Sequence, residues 1–544
     1  MKLVLPIKSL AVWFAPWLFL VGLNGHAGAV PCSDATAIGQ ELRDPPTFTA
    51  TNFMIKSGLK ATLADKCING KIVSLKSYQD ARLPVDARPV GPAYVFHVNE
   101  IAPNPTFTLN FENDLGSCKD AAGTIIPCNC DHNSPDVGKC TNLHTHGLHV
   151  SPAGNSDNVL LAFKPGDKFQ YQFNIANTHP QGTHWMHAHL HGSTAPQLRE
   201  GMSGALILKG RTDRWLANQG IREKIMILQQ LSTDGGTTSL CAAIPTSING
   251  QCHPKITAKA GDILRLRLIH AGISASIFFG IKDNNGIAQR LHEFARDGIN
   301  MGKMTPQQIV ELQPGYRSDV LFQVPVCAGP GMCKLTVVDN ASPASMSLLG
   351  EAEDTHTFAT ILVQPNRTAM RMPSANDPHF AKPYPEIQDS ELVAKEEKNY
   401  FASIPPGAPG NPGTSTIHTV NGDIYPAGNS INLTVGQAQT WRVWVGESQT
   451  SAPGPSHPYH IHVNPFEVIK RDEQGKIKER YWKDTYLISS TTNKGEKNAV
   501  ELRARYETFI GDFVMHCHNL FHEDAGMMKL VRMNPPTASS HDHK

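Results

Sequence analysis

The stretch "NGQCHPKITAKAGDILRLRLIHAG", residues 249–272, decides what kind of fold this chain adopts. Apolar and polar residues alternate on both sides of a Gly-Asp step, and period-two alternation bounded by turn residues marks β-strands. The same order returns in "NGDIYPAGNSINLTVGQAQTWRVWVG", residues 421–446: Asn-Gly, a Pro, an alternating run, a Gly turn, a second alternating run. Such runs read as paired strands. A second correspondence joins "GTHWMHAHLHG" (182–192) to "GDFVMHCHNLFH" (511–522), each followed by a short apolar strand, "GALILKG" or "MMKLVRM". The middle of the chain offers "GMCKLTVVDNAS" (331–342) at the matching place, without a histidine. Three similar β-units are expected, with the histidine chemistry kept in the first and third.

Composition agrees. A chain of 544 residues exceeds one core, and its 44 Gly and 39 Pro favour turns and short strands over helices. Lys plus Arg is 49 against 48 for Asp plus Glu, so no net field draws nucleic acid or an anionic membrane. The N-terminus reads as an export signal over residues 1–29: Lys2 and Lys8, the apolar run "LAVWFAPWLFLVGL", then "AGA" ending at Ala29. That run is too short for a membrane span, so none is expected after cleavage. The destination is the periplasm or the exterior. Eleven cysteines in an exported chain call for disulfides. Cys241 and Cys252 are close in sequence, as are Cys327 and Cys333, and Cys32 and Cys67 could tie down the N-terminal region. Cys118, Cys128, Cys130 and Cys140 lack the short knuckle spacing of a zinc site and read as two disulfides of open pairing. Cys517 is left over.

Four windows carry the chemistry: "HTHG" (144–147), "HWMHAH" (184–189), "HPYHIH" (457–462) and "HCHNLFHEDAGM" (516–527). Each contains a His-x-His or its equivalent. On a strand, residues i and i+2 share a face, so each pair presents two imidazoles in one direction. One such pair is weak evidence; four are not. Neutral imidazole suits copper, iron and zinc, while a thiolate with a thioether points to a soft metal. One cysteine, two histidines and a weak axial methionine form the electron-transfer copper set. Cys517, His522 and Met527 supply three of these at Cys-x4-His-x4-Met. Alternation sends Cys517 to one face and His516 and His518 to the other, which suits electron transfer between two metal sites.

These four windows, complete and in order, resemble the signature motifs of the multicopper oxidases, over roughly residues 80 to 535. The nearest likeness is to bacterial three-domain laccase-like and copper-efflux oxidases. The resemblance implies an all-β chain of three cupredoxin-like Greek-key β-sandwich domains. These would span 81–211, 212–372 and 373–536, with an N-terminal extension over 30–80 and a tail over 537–544. It implies four copper ions. A type 1 copper would be held by His457, Cys517 and His522 with Met527 axial, and a type 2 copper by His144 and His460. One type 3 copper would take His146, His187 and His518; the other would take His189, His462 and His516. Glu523 and Asp157 would serve proton delivery. His149, His184 and His191 have no place in this count and would support neighbouring side chains by hydrogen bonds or simply lie on the opposite strand face.

The implied reaction couples one-electron oxidation of a small aromatic or phenolic donor to reduction of dioxygen to water. Met527 argues for easily oxidised donors, since the axial ligand tunes the potential. A cuprous or ferrous ion oxidase is the alternative; cuprous oxidation is weakened because no methionine falls between Tyr425 and His457, and ferrous oxidation would need acidic residues at the type 1 histidine. A non-enzymatic copper-binding or structural protein is a remote third reading, since a degenerate member would have lost ligands.

Overall fold

In the computed structural model, the described residues are Cys32 and 38–536, except 51–53, 99–103, 234–237, 243–244, 327–332, 367 and 447–453. Residues 1–29, expected to be an export signal, and the expected tail over 537–544 lie outside them. Among the described residues no helix is long and apolar enough to cross a membrane.

The strands form three pairs of facing sheets. In the first pair, Ala93–His97, Ser203–Lys209, Gly182–His187 and His144–His146 run side by side, opposite a sheet of Lys71–Asp80, Met54–Ile68, Thr106–Asp114 and Lys168–Asn174. Alternation fills the gap between them: Phe107, Leu109 and Phe111 from one sheet meet Trp185, Ala205 and Ile207 from the other in one core. The middle pair packs Leu264, Leu266 and Val320 against Phe279, Val337 and Ile361. The third packs Trp441, Val443 and Leu502 against Tyr459, Met515 and Val531. The first core runs on into Ile225, Ile227 and Ile269 of the middle pair and Leu520 of the third, which fixes the three against one another.

Two sequence expectations meet a difference. Residues 249–272 and 421–446 do form strands, but the two strands of each stretch do not pair with each other. Lys255–Lys259 runs parallel to His356–Gln364, whereas Ile263–His270 lies between Arg222–Gln229 and Arg317–Gln323 in the facing sheet. Ile431–Thr434 and Gln437–Val445 divide in the same way. The short turn between them crosses from sheet to sheet, with Gly261 and Gly436 at φ of 80° and 89°, which only glycine adopts freely. The second difference is at the N-terminus. Residues 54–80, placed by the sequence reading in an extension, supply two long strands of the first sandwich, because Met54–Ile68 pairs in parallel with Thr106–Asp114 and antiparallel with Lys71–Asp80.

Disulfides join Cys32 to Cys67, Cys118 to Cys128, Cys130 to Cys140 and Cys241 to Cys252. Cys333 is disulfide-bonded as well, and Cys327 lies outside the described residues. Among the described residues the free thiol is that of Cys517, which is buried.

Candidate metal centre

Each histidine window is placed by a strand or its end. His144 and His146 stand on His144–His146, which is antiparallel to Gly182–His187 with His187 opposite His144. His457 and His460 stand on His457–Ile461, where His460 faces His516 and Tyr459 faces Cys517 on Gly511–Cys517. His189, His462 and His518 follow one or two residues beyond their strands. These four segments meet where the first and third sandwiches touch.

The alternation around Cys517 divides two clusters. Its Sγ lies 3.5 Å from His457 Nδ1 and 3.8 Å from His522 Nδ1, and those two nitrogens are 3.2 Å apart. Met527 is fully buried beside them, its carbonyl accepting the Cys517 N–H at 3.1 Å. On the other face, His516 Nε2 lies 3.2 Å from His189 Nε2 and 3.3 Å from His462 Nε2. His518 Nε2 lies 3.3 Å from His146 Nδ1. His144 stacks on His462 and His146 on His460, each at 3.9 Å between ring centroids. Three-ligand groups close enough to share an ion include His189, His462 and His516; His144, His146 and His187; and His457, Cys517 and His522.

The eight rings of the larger cluster are all buried. Burial first, and then their mutual repulsion if charged, holds His144, His187, His189, His462, His516 and His518 well below the ordinary histidine range. They are neutral imidazoles with free lone pairs, the form that binds metal. Nε2 of His144, His187 and His460 has no hydrogen-bond partner. Leaving such buried atoms unpaired costs about 1–3 kcal/mol each, which a bound metal would offset. Burial also pushes the Cys517 thiol far up, so it gives up its proton only to a metal. The donor set therefore fits metal ions at both places.

Carboxylates frame the cluster. Asp157 Oδ2 lies 2.9 Å from His144 Nδ1, while its Oδ1 accepts the Thr145 N–H at 2.7 Å and the Thr145 hydroxyl at 3.0 Å. Burial pushes Asp157 up to about 7. Glu523 is buried with its Oε2 3.3 Å from His516 Nδ1 and its Oε1 3.5 Å from His189 Nδ1, and it accepts the Thr194 hydroxyl. Burial raises it well above the usual carboxylate range. Of the supporting histidines, His149 ties the sandwiches together through the Val463 carbonyl (2.6 Å) and Thr508. The ring nitrogens of His184 have no hydrogen-bond partner, and His191 packs on His132 and Tyr425.

Sequence reasoning missed Asp484. Its Oδ1 is 3.4 Å from His146 Nε2 and its carbonyl faces His460 Nδ1 at 2.8 Å. Arg317, from the middle sandwich, donates to both carboxylate oxygens at 2.8 and 2.6 Å. No local pattern in "YWKDTYL" signals this, because both partners come from distant strands. The glycine of "HTHG" now has a reason as well: a Cβ on Gly147 would strike Arg317, His184 and Asp484.

The comparisons with known proteins agree with this geometry. Two multicopper oxidase family models match, over residues 132–213 and 402–536. A multicopper oxidase of Staphylococcus aureus is 23% identical over 413 residues, covering 72% of this chain and 76% of that protein. Laccase-2 of Pleurotus ostreatus is 22% identical over 428 residues, covering 72% and 75%. The fold matches a multicopper oxidase of Campylobacter jejuni, described as a metallo-oxidase, with a TM-score of 0.67 at 20% identity over 92% of this chain and 96% of that one. The chain belongs to the multicopper oxidases, a family of copper-binding oxidoreductases.

Proposed function

We propose that this protein is a laccase-like oxidase that takes single electrons from phenolic or aromatic donors and uses them to reduce dioxygen to water. The observation that supports it best is the division of ligands about Cys517. One covalent segment, His516-Cys517-His518, contributes to both clusters, so the two are joined through a few bonds. In this reading His457, Cys517, His522 and Met527 hold one copper. His144 and His460 hold a second, His146, His187 and His518 a third, and His189, His462 and His516 a fourth. Bound copper would supply the one-electron chemistry and the binding of dioxygen. Each sandwich would be one cupredoxin unit, with the first beginning near residue 47 rather than 81.

The protein's own groups do the rest. Asp157 fixes the orientation of His144 through Nδ1, and Asp484 with Arg317 does the same for His146 and His460. Glu523, kept protonated by burial, holds a proton at the His516 and His189 edge of the cluster, where reduction of dioxygen demands one. Asp157, pushed up to about 7, is poised to exchange a proton near neutral pH.

A cleft of about 450 Å³ that reaches His457 supports this reading of the donor class. Tyr400, Trp444, Pro405 and Pro409 line it, a surface for a small aromatic ring. Glu496 is its acidic lining residue among those described, and it is paired with Lys398; no described methionine lines it. That favours organic donors over cuprous or ferrous ions, which need free carboxylates or thioethers. The disulfides fit an oxidising compartment, and export to the periplasm or exterior is part of the proposal. Oxygen uptake by copper-loaded protein given a dimethoxyphenol, cuprous ion or ferrous ion in separate runs tests it. Faster turnover of either ion, with phenol oxidised only when copper is in excess, would make it a metal-ion oxidase.

A further inference from the structure

The mononuclear ligand set is nearly sealed from solvent, and the donor cleft is lined by His457 but not by His522. His457 and His522 are 1% and 8% exposed, so a donor in solvent meets little of either ring. The side chain laid over His522 is His418, on the edge strand Ile417–Val420. The two imidazoles are stacked, with centroids 4.0 Å apart and planes inclined by 17°. His418 itself is half-buried, and its Nδ1 meets the Ser403 hydroxyl at 2.9 Å.

Strand geometry explains the placement. Ser403 pairs with His418 across the strands, and Phe401 pairs with Val420 two residues along. Alternation puts all four on one face of the sheet. Phe401 and Val420 are fully buried in the third core. One step nearer the rim the pair turns polar, and there the His418 ring covers His522. Ser403 also lines the donor cleft, so His418 stands at the margin of that cleft.

We propose that His418 is the electron-uptake residue of the mononuclear site, the outer ring against which a donor gives up its electron. This rests on the reading that His457, Cys517 and His522 hold copper. A phenol in contact with His418 loses one electron and releases its hydroxyl proton to water, leaving a phenoxyl radical. The electron would pass through the stacked His418–His522 pair to the copper that His457, Cys517 and His522 would hold, which would take it up as a one-electron acceptor. Four such events balance one dioxygen and four protons against two waters. The competing view makes His418 a plug that seals the end of the core, a task that any side chain of its size would perform.

Two variants of similar bulk separate these views. His418→Phe keeps a stacked ring, and His418→Leu fills the space without one. Anaerobic stopped-flow reduction of the thiolate–copper absorption by a dimethoxyphenol should be nearly as fast as wild type in His418→Phe. It should be slower by about tenfold in His418→Leu, equivalent to ~1.4 kcal/mol in the barrier. The midpoint potential should be the same in both, which assigns the difference to contact rather than driving force. Ser403→Ala, which frees the ring to tilt, should slow reduction less than His418→Leu. Copper-free protein gives an independent check on accessibility: diethyl pyrocarbonate should modify His418 and spare His522 in wild type, and reach His522 in His418→Ala. Equal rates in the Phe and Leu variants, faster reduction in His418→Ala, or modification of His522 in the wild type would each overturn the proposal. Failure of wild type to develop the thiolate–copper absorption on copper loading would instead remove the copper assignment beneath it.

Discussion

The two ligand assemblies are built on opposite plans. The Cys517 set lies inside the third sandwich, and three of its four members fall between residues 517 and 527. The eight-histidine cluster gathers four segments from two sandwiches, with His518 and His146 in contact across 372 residues of chain. The middle sandwich contributes none of these histidines, yet its Arg317 holds the Asp484 that braces two of them. The first assembly can therefore form once one sandwich folds. The second exists only when the sandwiches dock.

Breaking the link between the assemblies should have the largest effect. Cys517→Ser should lose the intense thiolate–copper absorption and all turnover while leaving copper at the histidine cluster, read by optical and paramagnetic resonance spectra with copper analysis. Survival of that absorption would end the assignment. Glu523→Gln touches only the cluster side and should keep the absorption. Its turnover should fall by about a hundredfold or more, the scale of lost proton delivery, measured as oxygen uptake against pH.

Arg317→Leu probes the docking itself. Arg317 is fully buried between Asp484 and Asp297, and removing one partner of a buried pair costs about 3–5 kcal/mol. Denaturant melts should show that loss, and the cluster should lose copper while Cys517 keeps its own. Equal loss from both would mean that the assemblies are not independent.

Acid should also act through the cluster. Its histidines are held below their ordinary value of about 6.5 in the folded, copper-free protein. Below that pH the unfolded chain binds more protons than the folded one, so stability falls as pH falls. Calorimetry of copper-free protein from pH 8 to 5 should show a falling Tm; a flat profile would contradict neutral, buried rings. The smallest change belongs to Met527→Leu. It should shift the midpoint potential of the mononuclear site and leave the cluster spectra untouched, since a weakly bound thioether would tune the metal rather than hold it.

Much of the site could be read from residues because its grammar is local. His-x-His pairs put two rings on one strand face, and Cys517 sits between two of them, so strand periodicity separates the assemblies without knowledge of the fold. The placement of Asp157 and Glu523 beside the cluster could be anticipated because they lie close in sequence to its histidine windows. Asp484 was not, since the Arg317 and His146 that meet its carboxylate come from the other two sandwiches. His418 was equally silent: its importance comes from a cross-strand pair with Ser403 and from the sheet rim under which His522 lies.

By itself the amino-acid order determined strand character, the metal-binding residue types and their division about Cys517, because period-two geometry and ligand chemistry act over a few residues. The tertiary structure decided the rest. It sent the two strands of 249–272 into facing sheets, drew residues 54–80 into the first sandwich, and set Arg317 behind the cluster and His418 over His522. Those outcomes depend on which apolar faces bury one another, and burial is a property of surfaces brought together from far along the chain.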